Sequence, residues 1–520
     1  MITSLIQIAS SKPTRAAVNA SFSAWSRRRV AKLAALDPAR VQRETLLDLV
    51  RKASQTRFGR DHKFAKIRSV EDYQRAVSLR TYEDLWTEYL RDAYPIFDNL
   101  AWPGRIPYLA LTSGTTQGAT KYIPVSKAML ASNFKASRTM LAHRYVYSPK
   151  SRLFGGKMFF LGGSTDLERV EPGVLQGDLS GIVAREVPSI SRAYTFPPLD
   201  LALETNWDVK LRMLAERSAR ENITLVGGVP SWLLVLFERI KQVTGKATIA
   251  KVWPNLELVV HGGVKFDPYR PAFQEALPGI AFQDAYTCSE GFLGFGDPRE
   301  PSLLIPMFDH GIFLEFVPVD EIGTDRPSRH WLGNFETGVN YAVVISSCAG
   351  MWSHIVGDTV RFESRAPLRM TFTGRTKYTL SAFGEHLISE EVEAAIAEAA
   401  SATRAIVGDW HVGPVFSGAL GYHVYLVEFL RDPEDLAAFR DVLDRSLKAR
   451  NADYLAHRAE GVGLSLPSVF HVDRGTFESW MRAKGKLGGQ HKMPRMDGSG
   501  VLTGELVRFV EDGGFVVERL

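Results

Sequence analysis

Apolar runs alternate with glycine-rich turns through the middle of the chain, from about Tyr108 to Phe295. Three of these runs have the length and composition of buried strands: Met158–Leu161, Thr224–Val226 and Leu256–Val260. Amphipathic stretches with helical spacing separate them, and this alternation is typical of α/β folds. The pattern predicts a large α/β body.

Two further patterns flank that body. Near the N-terminus, Asp37 and Pro38 form a helix-start signal, and apolar residues then repeat at helical spacing. Beyond Arg375, Ser389 is expected to cap a helix with acidic residues in its first turn. The elements predicted after it are strands at Tyr422–Leu430 and Ser468–Val472 and a helix from Pro433 to about Leu447. The chain thus predicts a second, smaller α/β unit, with a cleft between the two units.

Composition narrows the class of protein. The chain has 520 residues, of which 45% are hydrophobic and 23% are charged, and its formal net charge is +5. Because positive and negative residues are interspersed, nucleic acid is not expected as a partner. The two cysteines, Cys288 and Cys348, lack zinc-site spacing and fit a reducing cytoplasm. The longest apolar stretch, Leu225–Phe237, falls short of the ~20 residues that cross a bilayer, so a soluble protein without a membrane partner is expected.

A segment rich in hydroxyl groups and glycine follows the apolar run Tyr108–Leu111. It extends from Thr112 to Lys121 and reads TSGTTQGATK. Hydroxyls and backbone N–H groups between two glycines can surround phosphate oxygens without steric hindrance. The spacing differs from a Walker A loop, because Gly114 and Gly118 are four positions apart and the lysine follows three positions later. The segment predicts a phosphate loop, and an ordinary glycine and threonine turn is the alternative.

A second segment ends in a carboxylate beside a glycine. It runs from Asp284 to Gly291 and contains Tyr286, Ser289 and Glu290. A glutamate at a strand end suits Mg²⁺, which takes oxygen ligands and typically bridges a protein carboxylate and triphosphate oxygens. The segment predicts Glu290 as a metal ligand. The alternative is a core tyrosine followed by a solvated glutamate.

Three more candidates come from the last third of the chain. Asp358 follows Gly357 at an expected strand end and could accept both hydroxyls of a ribose, and Arg375 follows Gly374 and could hold phosphate or ribose oxygens. Lys492 lies in a glycine-rich and basic segment near the C-terminus and could enter the cleft on the smaller unit. A flexible basic surface loop is the alternative for that segment.

Taken in this order, these segments resemble the adenylate-forming superfamily, which includes firefly luciferase and the acyl-CoA ligases. The resemblance is closer to its auxin-responsive branch, the acyl acid amido synthetases that join plant hormones such as jasmonate or indoleacetate to amino acids. It covers roughly Gln42 to Arg495. Further segments similar to that branch are Tyr82-Glu83-Asp84, Val260-His261-Gly262-Gly263, Phe383-Gly384-Glu385-His386-Leu387, Asp453-Tyr454 with Arg458, and Gly489-Gln490-His491-Lys492-Met493-Pro494-Arg495.

The resemblance implies a fold and a set of roles. The fold is a large N-terminal domain of packed sheets and helices, residues 1–378, and a smaller C-terminal α/β lid, residues 379–520, with a possible hinge at Lys377. The nucleotide-binding residues it implies are Ser113, Gly114, Thr115, Thr116 and Gly118 for the ATP phosphates, Gly262, Gly263 and Tyr286 around the adenine, Ser289, and Asp358 with Arg375 at the ribose. Glu290 would bind Mg²⁺, and Lys492 would lie against the α-phosphate and the attacking carboxylate.

The implied reaction has two steps. A carboxylic acid is adenylated by ATP, and an amine, expected to be an amino acid, then takes the acyl group and releases AMP. Two rivals remain open: an acyl-CoA ligase that shares the first step, and a nucleotide-binding scaffold or sensor without catalysis. A lid rotation is expected to let one cleft serve both steps.

The sequence departs from the branch at two places, and its acyl pocket is least defined. Cys288 stands where the branch usually has serine, and Ile355 and Val356 stand where an aromatic or arginine residue is usual. Cys288 is interpreted as a small filler, because the sequence supplies no base for a reactive thiol. The acyl pocket is expected on the segment that includes Trp232, Leu233 and Leu236, and a plain core helix is the alternative.

Overall fold

The computed structural model describes residues 9–113, 120–162, 167–202, 204, 206–263, 266, 269–376, 379–380, 382–383, 385, 387–417, 420–458, 464–485 and 493–520. The chain divides into two compact units. The first contains Met1–Val229, Leu236–Gly263 and Ile280–Thr371, and the second contains Pro230–Val235, Val264–Gly279 and Phe372–Leu520.

The α-helices of the described residues are, in chain order, α1 (Lys12–Ala34), α2 (Pro38–Ala53), α3 (Arg57–Asp61), α4 (Val70–Ala76), α5 (Tyr82–Leu85), α6 (Lys127–Tyr147), α7 (Leu179–Glu186), α8 (Leu199–Ala202), α9 (Trp207–Ser218), α10 (Pro230–Thr244), α11 (Ile249–Val252), α12 (Arg270–Ala276), α13 (Ser389–Ala402), α14 (Leu436–Arg450), α15 (Ala452–His457), α16 (Thr476–Ala483) and α17 (Val501–Asp512).

The strands are β1 (Tyr108–Ser113), β2 (Thr120–Val125), β3 (Lys157–Phe160), β4 (Leu167–Glu171), β5 (Val174–Gly177), β6 (Thr195–Phe196), β7 (Ile223–Gly228), β8 (Leu258–His261), β9 (Ala281–Cys288), β10 (Gly291–Gly296), β11 (Leu304–Pro306), β12 (Ile312–Pro318), β13 (His330–Trp331), β14 (Asn340–Ser347), β15 (His354–Arg365), β16 (Leu368–Arg375), β17 (Thr379–Leu380), β18 (Leu387–Ile388), β19 (Ile406–Ser417), β20 (Leu420–Arg431), β21 (Ser468–Val472) and β22 (Val516–Arg519).

The largest sheet has the strand order β13-β12-β14-β15-β16-β11-β10-β9-β8-β7-β3-β6. Its last part is parallel from β9 through β8, β7 and β3 to β6, whereas β9 pairs with β10 in the antiparallel sense. Helix α6 packs on this sheet through Met140 and Tyr145, next to Leu225 of β7 and Leu258 of β8. A second sheet of the first unit has the order β2-β1-β5-β4. The carboxyl ends of the parallel strands therefore meet at one edge, where open α/β sheets bind their ligands.

The second unit is built on the sheet β19-β20-β21-β22, which is covered on both faces. Side chains alternate along β20, so that Tyr425 packs with α13 and α14 while Leu426 packs with α16 and α17. Two separate apolar cores result, one on each face of the sheet. A short ribbon of β17 and β18 precedes α13.

Most of the elements predicted from the pattern are present. Strands β3, β7 and β8 occur where they were expected, and β21 has the predicted bounds. The side chain of Asp37 accepts a hydrogen bond from the Ala39 N–H at 3.0 Å and begins α2. The buried positions of α2 include Leu46, Leu49, Val50 and Ala53.

Two predicted helix starts are wrong by a few residues. Ser389 is the first residue of α13 and does not cap it; the Ile388 N–H donates instead to Glu391 Oε2 at 3.0 Å, so a carboxylate inside the helix satisfies the amide before it. Helix α14 begins at Leu436, three residues later than predicted. Its start is set by Asp435, which accepts the Ala437 and Ala438 N–H groups at 2.8 and 3.2 Å.

Within the described part of the chain, none of the helices combines the length and the apolar character needed to cross a membrane.

Candidate active site

The candidate site of the first unit lies at the carboxyl ends of the parallel strands. Strand β8 ends at His261 and is followed by Gly262 and Gly263. A Cβ at position 262 would lie 2.4 Å from the carbonyl oxygen of Ala285, so a side chain there would collide with β9. Gly263 has φ +80°, a conformation that L side chains rarely adopt. The two glycines thus let the backbone turn closely against β9.

Glu290 occupies the turn between β9 and β10. Cys288 pairs with Gly291 across the hairpin, so Ser289 and Glu290 form its two-residue connection. The side chain of Glu290 is 12% exposed, and its Oε1 lies 3.6 Å from His354 Nε2. Burial would raise the pKa of the Glu290 carboxyl, but the contact with His354 and the charge of that ring outweigh burial and lower the pKa. The turn therefore presents a carboxylate that stays ionised.

Cys288, the last residue of β9, is influenced by both candidate carboxylates. Burial raises the pKa of its thiol, and the negative charges of Glu290 and Asp358 raise it further. The Sγ donates to the carbonyl oxygen of Gly291 at 3.4 Å. A thiol held neutral in this way has the character of a small filler and lacks the electropositive surroundings of a reactive cysteine. The Glu290 and Asp358 carboxylates both lie within electrostatic reach of Cys288, and their joint role at a nucleotide stays a prediction.

Asp358 is positioned by an irregularity in β15, not by a strand end. In the pairing of β14 with β15, Ala342 lies opposite Thr359 and Val344 lies opposite Ile355, so three residues of β15 face one residue of β14. Gly357 within this bulge has φ +91°. Bulges change the direction of a side chain and are common next to active sites. The prediction of a strand end was therefore wrong, because the strand continues to Arg365 and the bulge sets the buried position of Asp358.

The phosphate-loop prediction falls on residues that the structure describes only in part. Ser113 is the last residue of β1 and pairs with Thr120, the first residue of β2. The two antiparallel strands therefore flank the predicted loop. Gly114, Thr115, Thr116 and Gly118 lie outside the described residues, as does Lys492. Lys121 Nζ lies 3.1 Å from Glu83 Oε1 and 5.0 Å from the centre of the Tyr82 ring. The Tyr82 hydroxyl accepts the Tyr122 N–H at 2.7 Å, which ties the hairpin to α5.

The remaining nucleotide candidates have definite places in their own units. Tyr286 is buried in β9, and Ser289 is half-buried beside Glu290. Arg375 ends β16 and is half-buried in the second unit, after Gly374, which packs closely against Ser389. Asp358 belongs to the first unit and Arg375 to the second. The expected convergence of Ser113, Asp358 and Arg375 around one bound adenosine moiety stays a prediction.

The acyl-pocket residues lie on α10, as the helical pattern predicted. Leu233 and Leu236 are fully buried, which is the packing of a core helix, and Trp232 is half-buried. Sequence reasoning did not select Phe160, the last residue of β3, although its side chain is 48% exposed at the carboxyl edge of the sheet. Its ring lies over Gly227, where an added Cβ would be 3.0 Å from Cδ1. The available signal was an aromatic residue on one strand paired with a glycine on the neighbouring strand.

His354 is the other residue that sequence reasoning missed. It begins β15, four residues before Asp358, and is 2% exposed. Nothing in the local sequence connects it to Glu290, since 64 positions separate the two residues and their contact depends on how β15 lies beside the β9–β10 turn. A histidine close to a selected motif was the only signal.

Proteins with related sequences have amido synthetase names. The chain is 25% identical over 332 residues to indole-3-acetic acid-amido synthetase GH3.3 of Arabidopsis thaliana, a match that covers 56% of this chain and 54% of that protein. It is 23% identical over 441 residues to jasmonoyl--L-amino acid synthetase GH3.5 of Oryza sativa subsp. japonica, which covers 70% of this chain and 75% of that protein. In several of these matches the chain spans about half the length of the curated relative.

Solved structures with the same fold belong to adenylate-forming enzymes. The GH3.15 acyl acid amido synthetase has a TM-score of 0.76 at 17% identity and covers 94% of this chain and 96% of its own. A 2-hydroxyisobutyryl-CoA ligase in its postadenylation state has a TM-score of 0.60 at 13% identity and covers 91% of both chains. These similarities confirm the predicted fold, a large N-terminal domain and a smaller C-terminal domain of the adenylate-forming type.

Three domain profiles of one family cover most of the sequence. The GH3 family N-terminal domain matches residues 28–174 and 174–282, the GH3 family central domain matches residues 305–375, and the GH3 family C-terminal domain matches residues 390–499. The three follow one another in chain order; the bulge with Asp358 and nearly all of helix α13 fall within the matched residues, and Glu290 falls between the first and second matched domains. The chain therefore belongs to the GH3 family.

Proposed function

We propose that this protein is an ATP-dependent acyl acid amido synthetase. In the first step, an oxygen of the substrate carboxylate forms a bond to the α-phosphorus of ATP, and the bond to the pyrophosphate leaving group breaks. In the second step, the nitrogen of an uncharged amine forms an amide bond with the acyl carbon, loses a proton, and AMP leaves with the electron pair of the broken acyl–oxygen bond. The observation that carries the proposal is the carboxylate of Glu290 in the β9–β10 turn, 12% exposed, 3.6 Å from His354 and with a lowered pKa, in a chain built from the three GH3 domains.

The surroundings of Glu290 fit a divalent cation that arrives with ATP. The carboxylate has a lowered pKa, is 12% exposed and lies in a hairpin turn at the carboxyl edge of the parallel strands. Within the described residues there is no group of three or more metal-ligating side chains. Mg²⁺ does not need such a group, because it is commonly held by one or two carboxylates together with substrate phosphates and water. When bound, the ion would neutralise charge on the phosphates, and Glu290 would hold it against them.

Other residues are proposed to bind the adenine, the ribose and the phosphates of the nucleotide. Gly262 and Gly263 leave room for the adenine next to Tyr286, and Asp358 accepts the ribose hydroxyls, with Arg375 as its expected partner. Ser113, Thr115 and Thr116, with Gly114 and Gly118, supply hydroxyl and N–H donors to the phosphates, and Ser289 lies beside them. Donors fixed in advance at the position where charge develops are the largest single contribution in many enzymes.

Lys492 is proposed to stabilise the negative charge that builds on the α-phosphate during adenylation. Residues 379–520 would then act as the lid domain that carries this lysine, and residues 1–378 as the domain that binds ATP and the acid. A positioned cation of this kind typically contributes about 3 kcal/mol to the transition state. Amide formation needs no such cation, because the attacking amine is neutral and AMP leaves an already activated acyl group.

The acid is proposed to bind at the exposed aromatic face of Phe160. This ring offers apolar surface at the carboxyl edge of β3, whereas Leu233 and Leu236 are fully buried. Trp232, Leu233 and Leu236 remain proposed acid-binding residues. Phe160→Ala should raise KM for an aromatic or aliphatic acid about tenfold and leave KM for ATP unchanged, in line with the ~1 to 3 kcal/mol carried by one apolar contact. Trp25→Ala is the control, because Trp25 is an exposed aromatic residue on α1. Equal effects of the two variants on KM for the acid would contradict the assignment.

The acceptor separates the proposal from its nearest rival. An amino acid as acceptor makes the protein an amido synthetase, and coenzyme A would make it an acyl-CoA ligase with the same first step. The names of the related proteins favour the amino acid. We also propose a cytoplasmic enzyme with small-molecule partners, since both cysteines are free thiols.

ATP–pyrophosphate exchange across a panel of carboxylic acids tests the first step. Exchange should depend on one class of acid and on Mg²⁺, and Glu290→Gln should reduce it by two orders of magnitude or more. Mass spectrometry of reactions with pooled amino acids, or with coenzyme A, then identifies the acceptor. ATP binding without exchange for any acid would favour a nucleotide-binding scaffold.

Lys492→Ala tests the division of labour between the steps. The variant should lose exchange yet still form amide from a supplied acyl-adenylate. Lys484→Ala is a matched control, because this exposed lysine of the same unit pairs with Glu505 at 2.7 Å and has no proposed role. Equal loss of both steps in Lys492→Ala would refute the division.

A further inference from the structure

The residue before His354 has an unusual backbone conformation. Ser353 has φ +47°, in the left-handed region that residues other than glycine rarely adopt. Such strain persists only where the surrounding structure holds it, and it concentrates at functional sites. Ser353 joins β14 and its turn to the start of β15, so its conformation decides where the next side chain points.

Four hydrogen bonds hold Ser353 in this conformation. Its N–H donates to Ser346 Oγ at 3.0 Å, and its hydroxyl donates to the Tyr73 hydroxyl at 3.0 Å. The hydroxyl also accepts from Arg329 Nη2 at 2.8 Å, and the carbonyl accepts the Arg80 N–H at 2.9 Å. Every polar group of the residue is therefore engaged, and all four partners are distant in sequence or lie across the turn.

The strained serine fixes the direction of His354. The backbone of His354 pairs with Ile345 of β14 and forms a bridge with Arg80. Its ring then points at the β9–β10 turn, where Nε2 lies 3.6 Å from Glu290 Oε1. Of the residues that the structure describes, none accepts or donates a hydrogen bond at the buried Nδ1. The polar contact of the ring is thus directed at Glu290.

We propose that His354 is a positioning residue, which the Ser353 turn aims at Glu290 so that the carboxylate is held in the orientation that receives the divalent cation bound to ATP. The inference rests on the proposed function, since it assigns Glu290 that cation. Burying an imidazole costs free energy unless its polar atoms find a partner. An apolar side chain could fill the same space without that cost. Residues behind a metal ligand orient the ligand and typically change metal affinity by 10- to 100-fold when replaced.

The test compares two replacements of His354 by equilibrium dialysis of ATP, with Mg²⁺ and with EDTA. His354→Leu removes the polar atom but keeps the bulk, and it should weaken binding of ATP with Mg²⁺ by about tenfold or more while binding in EDTA is unchanged. His354→Gln carries an amide nitrogen at nearly the reach of Nε2 and should restore binding to within about threefold of the wild type. In the exchange assay, KM for ATP should rise and KM for the acid should not.

His143→Leu is the matched control. His143 is another buried histidine of the first unit, on α6, with its ring 5.0 Å from Phe295 and no contact with Glu290. It should leave binding of ATP with Mg²⁺ unchanged. If His354→Leu does not fold, as judged by its circular dichroism spectrum, His354→Asn replaces it, because the shorter amide cannot reach Glu290.

A double replacement removes the remaining ambiguity. In the Glu290→Gln background, His354→Leu should have no further effect on binding. The proposal is overturned if His354→Leu binds ATP with Mg²⁺ like the wild type, or weakens binding equally with Mg²⁺ and with EDTA. A wild-type protein that neither binds ATP nor catalyses exchange with any acid would instead overturn the proposed function, so the two failures are distinguishable.

Discussion

Each unit buries an arginine with carboxylate and tyrosine partners, and the two clusters are held in different ways. In the first unit, the Arg329 network comprises Tyr73, Glu315, Arg329, Ser346 and Ser353. In the second, the Arg495 network comprises Tyr269, Glu393, Asp409, Trp410 and Arg495. The first ends at the strained turn before His354, and the second includes the residue three positions after Lys492.

The Arg329 network is held by saturated hydrogen bonds. Arg329 Nε and Nη2 donate to the two oxygens of Glu315 at 3.0 and 2.9 Å, and Nη1 donates to the carbonyl oxygens of Gln74 at 2.9 Å and of Val77. Nη2 also reaches Ser353. A bidentate pair of this kind is strongly directional, and the side chain of Glu315 is fully buried. The geometry leaves the guanidinium one position.

The Arg495 network is looser and depends more on rings. Arg495 Nη1 lies 3.4 Å from Glu393 Oε1, and Nη2 lies 3.7 Å from Asp409 Oδ1 and donates to the Tyr269 hydroxyl. The guanidinium carbon lies 5.1 and 5.2 Å from the centres of the Tyr269 and Trp410 rings. Cation–π contacts of this kind are attractive but less directional than a bidentate pair.

The carboxylates of the second unit also titrate differently. Burial raises the pKa of Asp409, although Arg495 opposes the shift. Burial raises the pKa of the nearby Glu428 to about 7, against the Phe477 and Gly475 N–H groups that donate to it, and the charge of Asp409 adds to the rise. The first unit thus fixes its buried charge by geometry, whereas burial in the second unit raises the pKa of two carboxyl groups, that of Glu428 to about 7.

Breaking the Arg329 network should have the largest effect. Arg329→Met leaves Glu315 buried without its partner, and the free energy of unfolding should fall by about 3 to 5 kcal/mol. Urea denaturation measures this loss. Arg51→Met is the control in the same unit, since Arg51 is an exposed partner of Asp48 and its loss should cost less than about 1 kcal/mol. A loss in Arg329→Met as small as that of the control would show that the network is not rigid.

The stability of the second unit should depend on pH through Glu428. The folded pKa of Glu428 lies near 7 and its ordinary value is 4.5, so the protonated form is favoured in the folded state. Its contribution to the free energy of unfolding is fully present below pH 4.5 and is lost as pH rises through 7, a change of about 3 kcal/mol. Glu428→Gln should remove this dependence and be more stable than the wild type at pH 9, with little difference at pH 4.

Urea midpoints between pH 4 and 9 measure the effect. Glu434→Gln is the control, because Glu434 is an exposed carboxylate of the same unit and its replacement should leave the slope with pH unchanged. A Glu428→Gln variant that keeps the wild-type slope would contradict the raised pKa.

The smallest expected effect on stability is the difference between removing the hydroxyl groups of two buried tyrosines, one in each unit. The Tyr73 hydroxyl bonds to Ser346 Oγ at 2.7 Å and to Ser353 Oγ, so Tyr73→Phe should cost about 1 to 2 kcal/mol. In the described part of the second unit, the buried hydroxyl of Tyr425 has no hydrogen-bond partner. Tyr425→Phe should therefore be neutral or slightly stabilising. Paired thermal denaturation of the two variants measures the difference, and equal losses would remove the contrast between the units.

Local patterns predicted much of the fold. Strands β3, β7, β8 and β21 and helix α2 were read from periodicity and caps, because burial on one face and end-group hydrogen bonds are local requirements. Helix starts at α13 and α14 were less well predicted, since several polar residues near each start can satisfy the same amides. The order of the candidate motifs supported the fold and family through resemblance.

Some features of the candidate site could likewise be predicted from the sequence, and others could not. The chemical groups and their order could be read from the sequence: a glycine-rich hydroxyl segment, a carboxylate beside a glycine at an expected strand end, an aspartate after glycine and a late lysine. Only the tertiary structure decided that Asp358 sits in a bulge, that Phe160 is exposed while Leu233 and Leu236 are buried, and that His354 meets Glu290. The reason is physical: these features depend on strand register and on contacts between residues far apart in the chain, and no local pattern encodes the register between two strands.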